Sequence, residues 1–277
     1  MRSDSLNGAE VRFHAMHTLY GLGVSGWTEK ARWALSHHGV EYRYREHTPL
    51  IGELALRWRT PNGPRPTTVP LLLEDARVTM GSFNIAQRAE ALGTGAPPLF
   101  PASALPTIQR WEEVGDHVLR IARASVLRRM LGNPRALDES LPSFIPGFLR
   151  AVSRPTARMG VSFLARKHSA VSDPEAAIRD TVIPALERLR AELRGRPYLM
   201  DEGFTYADIT ACTMLQFARP MDEAWWPLAP ATREVWHHES LAAAFPDLLE
   251  WRAALYEKHR RPPLRVLPSG ANSASAA

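Results

Sequence analysis

Residues 18–35 read TLYGLGVSGWTEKARWAL. A short apolar run (Leu19, Tyr20, Leu22) closes at Gly23, a hydroxyl follows at Ser25, and an amphipathic helix begins just beyond it. This arrangement suits thiol chemistry. A thiol with a free pKa of about 8.5 is mostly protonated at neutral pH, yet the thiolate is the nucleophile. Activating it takes a donor aimed at sulfur and a positive local field. A helix N-terminus supplies unpaired backbone N–H groups and roughly half a positive charge. Ser25 can donate to a sulfur anion at that point, or it can simply cap the helix. Thr28 is a second hydroxyl within reach, and it is equally suited to an N-cap or first-turn role.

Two further places extend the pattern. Thr68-Val69-Pro70 opens the apolar run Leu71-Leu72-Leu73. A proline at a strand start leaves that edge without one donor. A cis bond before it would turn the backbone N–H and C=O of Val69 outward, where a peptide-like ligand can pair with them. A trans proline at an ordinary strand start is the alternative. Ser82, preceded by Gly81, begins another helix, where a hydroxyl and free N–H groups can hold a carboxylate or merely cap. Each of the three places suits one part of a small thiol peptide.

The elements that must position these groups follow from periodicity. A strand is expected over 12–23 and a helix over Thr28–His38, with Ala31, Ala34 and Leu35 at helical spacing and Gly39 at its C-terminal end. Val40–Glu46 alternates as a strand, 52–59 forms a weak helix, and PNGPRPTT is a loop. Strands at Thr68–Glu74 and Val78–Met80 and a helix at Ser82–Leu92 complete a β-α-β-α-β-β-α order, the thioredoxin pattern, within a domain spanning 12–93. The Pro/Gly-rich segment 94–106 reads as a linker. Beyond it strand signals nearly vanish, and helices are expected over 107–131, 138–151, 155–168, 174–194, 205–218 and 240–259. The fold class is therefore an α/β thioredoxin-like N-terminal domain followed by an all-α domain over 107–261, with loose tails at 1–11 and 262–277.

Composition narrows the function classes. The 277 residues are 45% hydrophobic and 23% charged, which suits a globular protein of two modest domains. No run reaches the roughly 18 apolar residues of a membrane helix. The first residues, MRSDSLNGAEVRFH, contain no apolar leader stretch, so a cytoplasmic location is expected. The net charge is +5 and the basic residues are almost all arginine, with lysine only at Lys30, Lys167 and Lys258. No nucleic-acid-binding motif accompanies that charge, and no nucleic-acid partner is expected. The single cysteine, Cys212, excludes an intramolecular disulfide, a Cys-x-x-Cys pair and a cysteine zinc site, and reads as a buried thiol. The adjacent pairs His37-His38 and His237-His238 do not share a helix face, so no metal site is expected.

The motifs together resemble the cytosolic glutathione S-transferase superfamily, in a bacterial branch. Ser25-Gly26-Trp27-Thr28-Glu29-Lys30-Ala31-Arg32-Trp33-Ala34-Leu35 resembles the family's S-x-x-[SC]-x-K-x-R-x-A-L helix start, and Thr68-Val69-Pro70-Leu71-Leu72 its T-V-P-x-L strand. Gly81-Ser82-Phe83-Asn84-Ile85 takes the place of E-S-x-x-I. Phe204-Thr205-Tyr206-Ala207-Asp208-Ile209 resembles the F-T-x-A-D-I signature of the helical domain, in which Thr205 and Asp208 form a capping box. The resemblance implies a transferase that joins the glutathione thiolate to a small hydrophobic electrophile, with glutathione as co-substrate and no metal. It implies that Ser25 is the catalytic hydroxyl, that Val69 pairs with the cysteinyl backbone, and that Ser82 holds the γ-glutamyl carboxylate. Gly26, Trp27, Thr28, Thr68, Pro70 and Gly81 complete the glutathione contacts. Trp111, His117 and Arg120 would wall the electrophile pocket, or serve packing and solvation. A homodimer and a detoxification role belong to the same implication. Two departures matter. Gly81 replaces the acid that pairs with the γ-glutamyl amine, which leaves a non-catalytic binding module as the alternative reading. Thr28 stands where related bacterial sequences often carry cysteine, which argues against thiol–disulfide exchange.

Two segments remain open at this level. Residues 128–168 mix arginines with Phe144, Phe148, Phe163 and Leu164, as either a basic amphipathic surface or core helices with a solvated face. Trp225-Trp226-Pro227 either lines a pocket or packs an interface.

Overall fold

A computed structural model of the chain describes residues 17–48, 51–60, 66–75, 77–93, 95–141, 145–167 and 171–260. The N-terminal part runs β1 (His17–Gly21), α1 (Gly26–His37), β2 (Tyr42–Glu46), α2 (Ile51–Arg59), β3 (Leu71–Glu74), β4 (Arg77–Met80) and α3 (Ser82–Leu92). The expected tails, the first residues of the 12–23 strand and most of the PNGPRPTT loop lie outside the described residues. The strands form one sheet in the order β2-β1-β3-β4. β1 runs parallel to β2, with Leu19 opposite Tyr44, and antiparallel to β3, with Leu19 opposite Leu72. β3 and β4 form a hairpin. This is a thioredoxin-like sheet, and α1 and α3 cover it through fully buried Ala31, Ala34, Leu35, Ile85, Ala86 and Ala89. Small residues on both helices allow that close packing. Gly39, at φ +66°, ends α1 from the position after the cap, and Val40 N–H reaches back to Leu35 C=O at 2.9 Å.

The remainder is helical. α4 (Leu105–Gly132) is its spine, about 42 Å long at 1.5 Å per residue. It is followed by α5 (Pro134–Glu139), α6 (Gly147–Lys167), α7 (Pro174–Ala177), α8 (Ile183–Leu193), α9 (Tyr206–Met214), α10 (Pro230–Trp236), α11 (Glu239–Ala244) and α12 (Pro246–His259). Several expectations are corrected here. The helices expected over 138–151 and 155–168 are instead α5 and one continuous α6 that carries Pro155 within it. The 174–194 run is interrupted by a wide turn, Ile178–Val182, just before Pro184. The 240–259 run breaks at Phe245-Pro246. α10 was not expected, because its seven residues are too few to show a period.

The segment read as a linker is pinned. Glu90 Oε2 accepts from the N–H groups of Leu99 (2.6 Å) and Phe100 (3.1 Å), and Leu99 C=O accepts from Tyr206 N–H at 3.0 Å. At the centre of the interface Lys30 of α1 is fully buried. Its Nζ bonds both oxygens of Glu112 at 2.7 Å and lies 3.5 Å from Asp116, while Thr210 of α9 donates to Glu112 at 2.8 Å. α4 approaches α9 so closely that a Cβ on Gly115 would collide with the Thr210 methyl.

Of the two open segments, Trp225-Trp226 packs. Trp226 is buried and Trp225 meets Tyr256 edge-on. In α6, Ala157 and Val161 join Leu127, Leu137 and Leu141 in a small core, while Phe148, Val152 and Met159 face outward. Cys212 is fully buried, and burial raises its thiol well above the usual range.

The capping box of α9 makes a measurable signature. Asp208 is buried and accepts from Leu199 N–H (2.8 Å), Thr205 N–H (2.8 Å) and Thr205 Oγ1 (3.1 Å). Burial raises its pKa to about 6, against those hydrogen bonds, which lower it. Between about pH 4, the unfolded value, and pH 6 the folded chain therefore holds a proton that the unfolded chain has released. The stability contributed by this group falls as pH rises through that window. In urea unfolding across pH 3.5–7, the difference between wild type and Asp208→Asn is expected to decline between about pH 4 and 6 and to be level on either side. A level difference throughout would contradict the assignment.

Candidate active site

The turn from β1 into α1 presents the first hydroxyl. Ser25 N–H donates to Leu22 C=O at 2.9 Å, and Leu22 N–H donates to Thr28 Oγ1 at 3.1 Å. Thr28 is buried and its hydroxyl is turned into the protein, where it staples the turn. A Cβ on Gly21 would collide with it. Thr28 is not among the residues that line the adjacent cavity, whereas Ser25, Gly26 and Trp27 are. Ser25 occupies the N-cap position with φ −93° and ψ 126°, yet its side chain makes no capping hydrogen bond. Its hydroxyl is therefore unspent, on the wall of a cavity of about 420 Å³. The N–H groups of Gly26, Trp27 and Thr28 have no acceptor within the helix, and they add a positive field at the same place.

The second wall is the start of β3. The Val69–Pro70 peptide bond is cis. Thr67, Thr68, Val69 and Pro70 all line the cavity, and Val69 has no hydrogen bond among the described residues on either backbone group. Pro70 C=O accepts from Gly81 N–H at 3.1 Å, which ties this turn to the start of α3. Gly81 and Ser82 line the cavity next to it. Ser82 is the first residue of α3, and no side-chain capping bond is made at this helix start. Gly81 adopts φ +85° and ψ 141°, a region that glycine occupies freely and that strains any residue with a Cβ. The backbone here suits glycine in place of an acid.

The third wall is α4. Leu119, Arg120, Ala122, Arg123, Val126 and Leu127 face the cavity. Trp111 and His117 do not. Trp111 is buried in the helical core and donates from Nε1 to Glu192 at 3.1 Å. His117 is exposed, two residues before Leu119 and so about 200° around the helix. Arg120 lies on the rim, 3.6 Å from Asp116. Leu164, Gln216, Phe217 and Trp236 line the deeper end. Of these groups, Arg123, Gln216, Phe217 and Trp236 are not singled out by the sequence, and Leu164 only as part of the 128–168 segment. The 119-123-126 spacing of α4 was the available signal, and Arg123 was hidden within it as one arginine of many.

The walls are held in register by polar contacts from the site helix itself. Trp27 Nε1 donates to Asp116 Oδ1 at 2.7 Å, one turn before the Lys30 bridge to the same carboxylate. Tyr206, fully buried behind Ser82, has its phenol pushed well above the usual range by burial. Among the described residues no group of three or more His, Cys, Asp or Glu side chains is placed to hold a metal ion, and no helix is long and apolar enough to cross a membrane.

The arrangement offers a thiol a hydroxyl donor and a helix terminus, offers a peptide an open backbone edge, and continues into an apolar chamber. Comparison with known proteins places it. Residues 24–92 match the model of the glutathione S-transferase N-terminal domain, and residues 165–254 match that of the C-terminal domain. A search of curated protein sequences finds no match. Among solved structures, the fold is similar to a glutathione S-transferase from Rhodospirillum rubrum F11 (20% identity, TM-score 0.54, 92% of this chain and 94% of that one). It is similar too to CsGST63524 of Ceriporiopsis subvermispora in complex with glutathione (15% identity, TM-score 0.55, 92% and 100%) and to rice GST1 in complex with glutathione (20% identity, TM-score 0.52, 89% and 92%). With both domain models matched in order over more than half its length, the chain belongs to the glutathione S-transferase superfamily.

Proposed function

We propose that the protein is a glutathione transferase that joins the glutathione thiolate to an apolar electrophile. The observation that carries this reading is the Ser25 hydroxyl, free of any capping bond and facing the cavity at the start of α1. In the proposed reaction the thiol proton leaves to solvent, and Ser25 O–H and the α1 terminus stabilise the sulfur anion. Sulfur then forms a bond to an electrophilic carbon, and the leaving group departs with the electron pair of the broken bond. Val69 pairs through its backbone with the cysteinyl residue, and Ser82 with the first N–H groups of α3 holds the γ-glutamyl carboxylate. Thr28 acts by shaping the turn rather than by touching the ligand. The gain comes from a higher thiolate fraction and from proximity.

Gly81 favours one alternative, a non-catalytic binding module. Without an acid at this position the γ-glutamyl amine loses a charge-assisted hydrogen bond of about 1.5–3 kcal/mol, or roughly tenfold to a hundredfold in affinity. Calorimetric titration with glutathione separates the two readings. A transferase with this deficit is expected to bind with a dissociation constant that remains below about 1 mM, and to conjugate a generic aryl halide. An absence of heat at several millimolar ligand would reject the transferase in favour of the module.

A further inference from the structure

Most polar groups that line the cavity are spent on the protein. Gln216 donates to Tyr256 Oη at 2.6 Å and accepts from Met221 N–H at 3.1 Å, Thr213 donates to Thr210 C=O at 2.8 Å, and Arg120 pairs with Asp116. Arg123 is different. Its guanidinium lies 5.0 Å from the centroid of the Trp27 ring. Its Nε is enclosed and has no hydrogen-bond partner, and no carboxylate of a described residue forms an ion pair with it. The nearby Asp116 is engaged by Trp27, Lys30 and Arg120 instead. Burial, and after it the charge of Arg120, lower the Arg123 pKa to about 10 against the opposite effect of Asp116. At neutral pH this is a partly buried cation with no ion-pair partner among the described residues, next to the apolar side chains of Leu119, Val126, Leu164 and Phe217 on the cavity wall. Such a charge is costly until an anion joins it. Stacking on an indole leaves the in-plane N–H edges of a guanidinium available, and those edges fit the two oxygens of a carboxylate.

From this geometry we infer that the second-substrate end of the cavity takes an apolar acid, whose carboxylate pairs with Arg123 while its hydrocarbon body lies along Leu119, Val126, Leu164 and Phe217. The inference rests on the transferase reading only in assigning this acid to the second substrate rather than to glutathione. Arg123 belongs to α4 and its apolar stripe, whereas the groups proposed for glutathione come from the N-terminal sheet and its helix starts. Arg123 is thus a specificity-determining residue, and acids of aryl or short alkyl type are the substrate class.

The test compares two ligands of the same shape and different charge, 4-phenylbutyrate and 4-phenylbutanol, by calorimetry on the full chain. Both are titrated into wild type, Arg123→Gln and Arg123→Lys, with and without saturating glutathione. The acid is expected to bind wild type about tenfold to a hundredfold more tightly than the alcohol, the range for a charge-assisted pair. The preference is expected to vanish in Arg123→Gln, to survive in part in Arg123→Lys, and to persist with glutathione bound. Alcohol affinity is expected to change less than about twofold, which also reports that the variants keep the cavity. The inference is overturned if wild type shows no preference, if the preference survives Arg123→Gln, or if both ligands weaken equally in that variant. Loss of the preference on adding glutathione overturns it too, since Arg123 would then serve the tripeptide. If glutathione alone gives no heat, the transferase reading fails by itself, and the acid preference measured without glutathione still decides for or against the acid site.

Discussion

Replacing Ser25 by alanine is expected to lower kcat/KM for conjugation about tenfold to a hundredfold at pH 6.5 while changing glutathione affinity little. The argument runs through the sulfur. A hydrogen bond to a charged acceptor contributes about 1.5–3 kcal/mol, and 1.36 kcal/mol corresponds to one pKa unit, so the lost hydroxyl raises the bound thiol by about one to two units. Below the wild-type thiol pKa the thiolate fraction falls in proportion, whereas at pH 9 both enzymes hold thiolate and the gap narrows. The pH–rate profile therefore separates this role from a structural one: loss of cavity shape lowers the rate equally at every pH, while loss of the donor moves the inflection alkaline. Ser25→Thr retains a hydroxyl and is expected to recover part of the rate. Thr28→Val, whose hydroxyl accepts from Leu22 N–H away from the cavity, is expected to lower the thermal midpoint without moving the inflection. Should Ser25→Ala conjugate at the wild-type rate at pH 6.5, the hydroxyl has no part in activation.

How far the sequence reaches into this site depends on the distance over which each signal acts. That Ser25, Val69-Pro70 and Ser82 stand at turns, where they come to line one cavity, is legible because each is a local event at the end of a strand or the start of a helix, and turn chemistry is written in adjacent residues. The fold class was legible for the same reason, since the strand and helix periods of 17–92 alternate cleanly. Side-chain direction on a helix is not local. Thr28, which the sequence offers as a second hydroxyl beside Ser25, is taken up by the turn at Leu22, and Trp111 faces Glu192 although it shares α4 with the cavity-lining Leu119. Arg123 was illegible for an energetic reason. An arginine without a partner is recognised only when every neighbouring carboxylate is accounted for, and that accounting is tertiary. The continuous α6 shows propensity overridden by context, since its N-terminal turns are fastened by Arg154 to Asp138 across the α5–α6 corner despite Pro155.

The largest stability effect is expected where Glu29 of α1 meets Arg260 just beyond α12. Both side chains are 2% exposed, Arg260 Nε donates to Glu29 Oε1 at 2.8 Å, and Nη2 reaches Oε2 at 3.3 Å. Burial lowers the guanidinium pKa and the Glu29 carboxylate more than reverses that effect, so Arg260 stays charged. Its net contribution is small, because desolvation of both ions offsets most of their attraction, but removing one partner takes from the other its closest buried counter-charge. Arg260→Met is expected to cost about 3–5 kcal/mol, with Arg32, 3.9 Å from the same carboxylate, limiting the loss. In a domain of this size that is a fall in Tm on the order of 10 °C. Glu29→Met is expected to cost a similar amount. The double variant replaces the pair by two apolar side chains of comparable length and is expected to be more stable than either single one, with a coupling energy above about 2 kcal/mol. Additive losses in that cycle would mean that each residue acts alone. The contact also bears on the site, because Trp33 Nε1 donates to His259 C=O at 3.2 Å, so the end of α12 is tied to the same helix whose N-terminus forms one wall of the cavity. Ser25→Ala and Arg260→Met should therefore be distinguishable in one set of experiments: the first moves the pH profile at unchanged Tm, the second lowers Tm and leaves the inflection of the folded enzyme in place.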